Sequence, residues 1–181
     1  MNWIQRRRLA SKIRRATLGR SAEKERYSPF LPDPTQRSWV FDVIDLTYDL
    51  IEGRALPEQL TEAVLQVFLS GDARAWQNTA EWLEKTTAHL PEMDDVWLGL
   101  ARHPDWQIRW RIACLLYSTV PEPVSNRIFS TLRYDRSRKV RDYAIERYEM
   151  RAVPDGQLWC SKKVFDASGF DHRVERGDIR F

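Results

Sequence analysis

Histidine and cysteine are the side chains best able to support metal or nucleophilic chemistry, and this sequence has three of the first and two of the second. His89, His103 and His172 lie far apart, and none belongs to an H-x-x-x-H metal spacing. Cys114 and Cys160 form neither a C-x-x-C motif nor a disulfide framework. The G-x-S-x-G motif and the glycine-rich phosphate loops are also missing from the sequence. We therefore expect no metal, no cofactor and no enzymatic activity.

Aromatic and cationic side chains are concentrated in two short segments, 106–111 and 138–143. Aromatic rings anchor protein interfaces or stack on exposed bases, and lysine and arginine contact phosphates. If both segments are helical, alternate residues face a core, so part of each set is structural. The candidate partner-binding residues here are Trp106, Arg109, Trp110, Arg138 and Arg141, and Lys139 joins them for a nucleic-acid partner.

Charge is distributed unevenly along the chain. The formal net charge is +7 over residues 1–30, −9 over 31–96 and +5 over 97–181. Such a molecule orients in the field of a charged partner, unless its basic arm lies on its own acidic section. The candidate nucleic-acid contacts of the arm are Arg6, Arg7, Arg8, Lys12, Arg14 and Arg15. The candidate contacts for a basic protein are Asp42, Asp45 and Asp49, together with Glu52, Glu58 and Glu62.

A repeat of 32 residues organises the middle of the chain. Apolar residues recur at this period, a polar turn lies inside each copy, and both halves of each copy have the spacing of amphipathic helices. Proline precedes the first helices, and Asp or Ser precedes the second helices. The pattern predicts six helices at 58–69, 73–88, 92–102, 105–119, 122–134 and 137–151, preceded by a seventh at 36–52.

The second and third copies resemble HEAT repeats. The resemblance rests on D-W-Q-I-R-W-R-I-A at 105–113 and D-R-S-R-K-V-R-D-Y-A at 135–144, where a turn leads into an apolar-Arg step. In that family the acidic residue and the arginine form a ladder along the inner helices, and Asp105 with Arg109 and Asp135 with Arg141 fit this pattern. The resemblance implies an all-α fold, a right-handed α-solenoid of three to four helical hairpins, with a basic N-terminal segment and an irregular C-terminal tail.

Three parts follow from these patterns. Residues 1–30 form a basic arm or capping helix, 31–151 form the repeat domain, and 152–181 form a tail that packs on the last repeat. The longest uncharged, apolar-leaning stretch near the middle, 112–121, is half of what a membrane helix needs, and no secretory signal is evident. We therefore expect a cytoplasmic protein that does not span a membrane.

Two functions are consistent with this architecture. A solenoid presents a curved surface that usually holds another macromolecule, which predicts a non-catalytic protein that binds a protein partner, as an adaptor or an inhibitor of the immunity type. The alternative comes from the family resemblance. HEAT-like DNA alkylation-repair glycosylases place aromatic residues, arginines and a catalytic Asp on the concave face, which implies nucleic-acid binding.

Overall fold

The computed structural model describes Ser11 and residues 17–87, 89–90, 92–117, 119–122 and 124–151. Its regular structure in these ranges is entirely helical, which confirms the all-α class. None of the described helices has the length and apolar character needed to cross a bilayer. The helices whose full range is described are eight α-helices and a 3-10 turn at Ser28–Phe30: α1 (Arg20–Tyr27), α2 (Pro34–Glu52), α3 (Pro57–Ser70), α4 (Ala73–Thr87), α5 (Glu92–Ala101), α6 (Trp106–Leu115), α7 (Val124–Leu132) and α8 (Arg138–Met150).

The helix ends follow from local chemistry. Asp33 caps α2 by accepting from the Thr35 N–H at 2.7 Å, and Pro34 begins the helix, where its missing N–H is not needed. Gly53 ends α2 with φ 76°, a left-handed conformation that glycine adopts without strain. Asp105 caps α6 by accepting from the Gln107 N–H at 2.8 Å. Polar caps therefore set the ends that position the turns between helices.

The seven helices that periodicity predicts are present as α2 to α8, with ends that differ by no more than four residues. Helix α1 lies within residues 1–30, for which the sequence predicts an arm or a capping helix. Its bounds were not predicted, because its buried residues are Glu23 and Tyr27 and give no apolar period. The segment 27–34 holds the end of α1, the 3-10 turn and the start of α2. Residues 1–10 and 12–16 of the predicted arm, and the whole tail predicted over 152–181, lie outside the described residues.

Successive helices contact each other as pairs: α3 with α4, α5 with α6, and α7 with α8. Like helices also meet between the second and third pairs, since α5 lies on α7 and α6 lies on α8. The first pair meets the second differently, because α3 contacts both α5 and α6. Helix α2 packs on α3 and α4, and α1 packs on α2. The pairs thus lie next to each other in chain order.

The core consists of the stripes that the repeat predicts. Trp97 and Leu100 of α5 and Ile108 and Ile112 of α6 are all buried. The indole of Trp82, also buried, donates its Nε1–H to Thr47 Oγ1 at 3.0 Å, so a large apolar side chain enters the core without leaving a polar atom unsatisfied. This core fixes the positions of the turns and helix starts described below.

Candidate interaction surface

A buried ion pair joins the second and third helical pairs. Arg109 donates from Nε to Asp135 Oδ2 at 2.6 Å and from Nη2 to Asp135 Oδ1 at 3.0 Å. Its Nη1 donates to the main-chain oxygens of His103 at 2.6 Å and Pro104 at 2.8 Å. Both charged side chains are only 7% exposed. Arg109, a predicted partner contact, is therefore mainly a structural link between two neighbouring turns.

The environment of Asp135 favours its charged form. Burial by itself raises the pKa of this carboxyl. The hydrogen bonds from Arg109 and from the Ser137 N–H lower the pKa by more than burial raises it, so it lies below the usual range. Arg136 adds a second link between the turns by donating to the Pro104 oxygen at 2.8 Å. The turn at 133–137 is thus held firmly beside the turn at 102–105.

An open depression lies next to this link. Trp106 is 40% exposed, and the Lys139 ammonium lies 5.4 Å from the centre of its ring. Arg109, Arg136 and Ser137 complete the lining. Cation–π geometry of this kind orients the lysine over the indole while both remain accessible. We call these five residues the Trp106–Lys139 surface.

The second tryptophan of α6 lies behind this surface. Lys139 Nζ is 4.5 Å from the centre of the Trp110 ring, and Tyr143 meets the same ring edge-on at 5.6 Å. Trp110 is partly buried, and its Nε1 has no hydrogen-bond acceptor among the described residues. Trp110 therefore supports the surface from below instead of presenting its ring to a partner.

Further exposed cations flank the lining residues in the sequence. The Arg138 side chain is 86% exposed, with its nearest carboxylate, Asp142, at 3.5 Å. Tyr134 is 75% exposed beneath the Arg133 guanidinium, which lies 4.9 Å from its ring centre. The carboxylates of both turns have internal roles, since Asp105 caps α6 and Asp135 binds Arg109. The exposed side chains that flank the lining residues in the sequence are therefore mainly cationic and aromatic.

The predicted acidic contacts Asp42, Asp45 and Asp49 lie on α2, and basic side chains of α1 neutralise part of their charge. Arg20 Nη2 meets Asp49 Oδ1 at 2.7 Å, and the hydrogen bond from Arg20 holds the pKa of Asp49 below its usual range. Lys24 forms an ion pair with Asp45. Asp42 lies on the same helix and is exposed as a whole residue. The partial burial of its carboxyl, and next the negative charge of Asp45, raise the pKa of Asp42. Within the described residues, basic side chains of α1 thus cover much of the acidic face of α2.

Helix α1 is an integral part of the fold. Glu23 is fully buried, pairs with Lys85 of α4 and accepts from the Leu18 N–H at 2.9 Å. Tyr27 is also buried, against Trp82 at a ring distance of 6.5 Å. The basic side chains on α1 are consequently held in place by core contacts. The predicted nucleic-acid contacts Arg6, Arg7, Arg8, Lys12, Arg14 and Arg15 lie outside the described residues.

The candidate chemical groups have structural roles. Burial raises the pKa of the Cys114 thiol to about 12, which keeps it protonated and poorly nucleophilic near neutral pH. His103 accepts from the Asp105 N–H through Nδ1 at 3.1 Å, as part of the turn. Across the described ranges, no group of three His, Cys, Asp or Glu side chains is placed to hold a metal ion.

Of the five residues that line the depression, the sequence analysis names Trp106, Arg109 and Lys139 as candidates and does not name Arg136 or Ser137. The sequence signal for Arg136 is its position directly after Asp135, the acidic residue of the turn. No protein-family model matches the chain, and comparison with curated proteins and with solved structures finds no significant similarity.

Proposed function

We propose that this chain is a non-catalytic interaction protein that binds a protein partner on its repeat surface, as an adaptor or an inhibitor of the immunity type. The observation that carries the proposal is the Trp106–Lys139 surface, where an exposed indole lies among accessible cations. Aromatic and arginine side chains are the usual anchors of protein interfaces. Because the acidic side chains of α2 are largely paired with α1, the cationic surface is the better candidate, and its partner has an acidic face.

A HEAT-like right-handed solenoid is part of this proposal. Two features support it: the contacts of α5 with α7 and of α6 with α8, and the Arg109–Asp135 link between adjacent turns. Stacked pairs of this kind place successive turns along one edge, so that a partner can contact several at once. The cytoplasmic location expected from the sequence belongs to the same proposal.

A pull-down of the full chain from a lysate of its own cells, with and without nuclease, tests the proposal. The variant W106A/K139E removes the exposed ring and reverses its neighbouring charge. The control variant R74E reverses an exposed charge near the start of α4, at the position of the first helical pair that corresponds to Arg138 in the third. We expect a stoichiometric, nuclease-resistant protein with the wild type and R74E, reduced at least about tenfold with W106A/K139E. Equal recovery with W106A/K139E would contradict the use of this surface.

Nucleic-acid binding by a HEAT-like protein related to DNA alkylation-repair glycosylases is the second candidate. The exposed indole beside Lys139 and Arg136 favours it, because bases stack on aromatic rings while cations contact phosphates. Fluorescence anisotropy with a labelled oligothymidylate at about 50 and about 200 mM salt separates the two candidates. Binding that is strong at the lower salt, weakens steeply at the higher and is lost in W106A/K139E would favour nucleic acid.

A further inference from the structure

Arg109 and Arg141 are equivalent residues of successive repeats. Each donates from Nη1 to two main-chain oxygens of the turn that precedes its helix: Arg109 to those of His103 and Pro104, and Arg141 to those of Asp135 and Arg136. The corresponding oxygens are 32 residues apart, as are the arginines themselves. The repeat therefore holds both guanidinium groups in the same orientation relative to their own turns.

The two arginines differ at their second edge. Arg109 uses Nε and Nη2 to chelate Asp135 of the following turn. In the described part of the chain, no carboxylate occupies the Nε and Nη2 edge of Arg141. The Arg141 residue is only partly buried, and its Nη1 hydrogen bonds orient the guanidinium group relative to the turn. A planar, oriented guanidinium edge is suited to bidentate binding of a carboxylate.

Neighbouring charges add to the attraction for an anion. Arg138, one helical turn before Arg141, is 86% exposed, and Arg136 lies in the turn itself. Asp142 is the acidic side chain next to Arg141 in the sequence, and it lies 3.5 Å from Arg138. The local balance is cationic, with Arg141 as the group whose orientation is fixed by two main-chain hydrogen bonds.

We propose that Arg141 is a binding site for an Asp or Glu side-chain carboxylate, chelated by Nε and Nη2 as Asp135 is by Arg109. Arg141 is not part of the Trp106–Lys139 surface, although Arg136 borders both. The carboxylate has two sources. One is a partner protein that docks near the start of α8, and the other is the acidic side chains of residues 152–181, whose sequence holds Asp155, Asp166, Asp171, Glu175 and Asp178. Acidic groups elsewhere on the chain, such as exposed Glu58 and Glu62, repel a long polyanion more than a single carboxylate.

Arginine Nε–Hε NMR spectra of the full-length wild-type chain test the site without any change in sequence. The probe is a hexa-aspartate peptide, with hexa-asparagine and inorganic phosphate as controls. We expect the peptide to shift the Arg141 signal saturably, to move the Arg138 signal little and to leave the chelated Arg109 signal in place. An equal response of Arg138 and Arg141, or a stronger response to phosphate than to the peptide, would overturn the carboxylate assignment.

Variants then distinguish geometry from charge. R141Q should weaken hexa-aspartate binding at least about tenfold, and R141K should lose most of the same affinity, because one ammonium cannot replace a bidentate guanidinium. R138Q, the matched control on the same helix, should change the affinity less than about threefold. The thermal midpoint of each variant checks that it remains folded. If R141Q unfolds, R141K still tests the need for a bidentate guanidinium, because it keeps the charge. These variants are compared in a parent chain that binds the peptide, either the wild type or D155N/D166N/D171N/E175Q/D178N. Binding by R141K and R141Q within about twofold of that parent would overturn the proposal.

The same NMR spectra identify which of the two sources supplies the carboxylate that binds Arg141. If the carboxylate comes from residues 152–181, the Arg141 signal already resembles that of Arg109 before peptide is added. The variant D155N/D166N/D171N/E175Q/D178N then shifts it and opens the site to hexa-aspartate. If the carboxylate comes from a partner, this variant leaves the Arg141 signal unchanged and binds the peptide as the wild type does. A signal that responds neither to the peptide nor to these substitutions would overturn the site as a whole.

Discussion

Two regions of this molecule neutralise charge in contrasting ways. Between the second and third helical pairs, one arginine and one aspartate meet in a buried chelate, with both side chains 7% exposed. Between α1 and α2, Arg20 lies among Asp45, Asp49 and Glu52 at 3.7, 2.7 and 3.8 Å, with side chains roughly a third exposed. The first region has one fixed geometry, whereas the second shares its charges among several partners. Burial, not the number of ion pairs, should therefore decide which region controls stability.

Breaking the buried chelate should have the largest effect. D135N keeps the shape of the side chain but leaves the Arg109 guanidinium buried beside a neutral amide. We expect a loss of about 3 kcal/mol in the free energy of unfolding, measured by urea denaturation, because an unpaired buried charge loses its compensation. The matched control is D94N, which removes an exposed pair between α5 and α7 at 3.7 Å from Arg127. A D94N loss as large as that of D135N would show that burial is not the deciding factor.

Acid should remove the same stabilisation in the wild type. The pKa of Asp135 is lower in the folded chain than in the unfolded chain, so its contribution is complete above the unfolded pKa of about 3.9. This contribution is lost as the pH falls through the lower, folded pKa. Urea midpoints of wild type and D135N should consequently differ most near neutral pH and approach each other below about pH 4. A constant difference down to about pH 2 would exclude the charge of Asp135 as the cause.

The α1 region contains a buried anchor of its own, and its loss should have an intermediate effect. E23Q keeps an oxygen for the Leu18 N–H but removes the charge that pairs with Lys85. We expect a loss of about 1 to 2 kcal/mol, smaller than for D135N, because Lys85 is 22% exposed and water can hydrate it. Urea denaturation of E23Q and of the exposed-site control E25Q gives the comparison. If both variants matched wild type, the Glu23–Lys85 pair would make no net contribution to the anchoring of α1.

The sequence predicted the parts of this comparison that depend on period. Seven helices and their buried stripes follow from apolar spacing and turn residues, which act locally. The involvement of Arg109 and Asp135 in a ladder is what the resemblance to HEAT repeats implies. The sequence did not predict the bounds of α1, because Glu23 and Tyr27 are buried through long-range contacts with Lys85 and Trp82. Nor did it show that Arg109 binds Asp135 of the next turn, because such a contact depends on how the pairs pack.

The smallest effect should come from the exposed network, where its dependence on salt is more informative than its size. D49N removes the carboxylate that binds Arg20 at 2.7 Å and Arg54 at 2.6 Å. Both arginines keep a second acidic neighbour in Glu52, so we expect a loss of only about 0.5 kcal/mol. About 1 M salt should abolish this loss, because exposed charges are screened, whereas the D135N loss should persist since its pair is buried. Equal salt sensitivity of the two variants would mean that both regions depend on the same screened electrostatics, and the contrast between them would disappear.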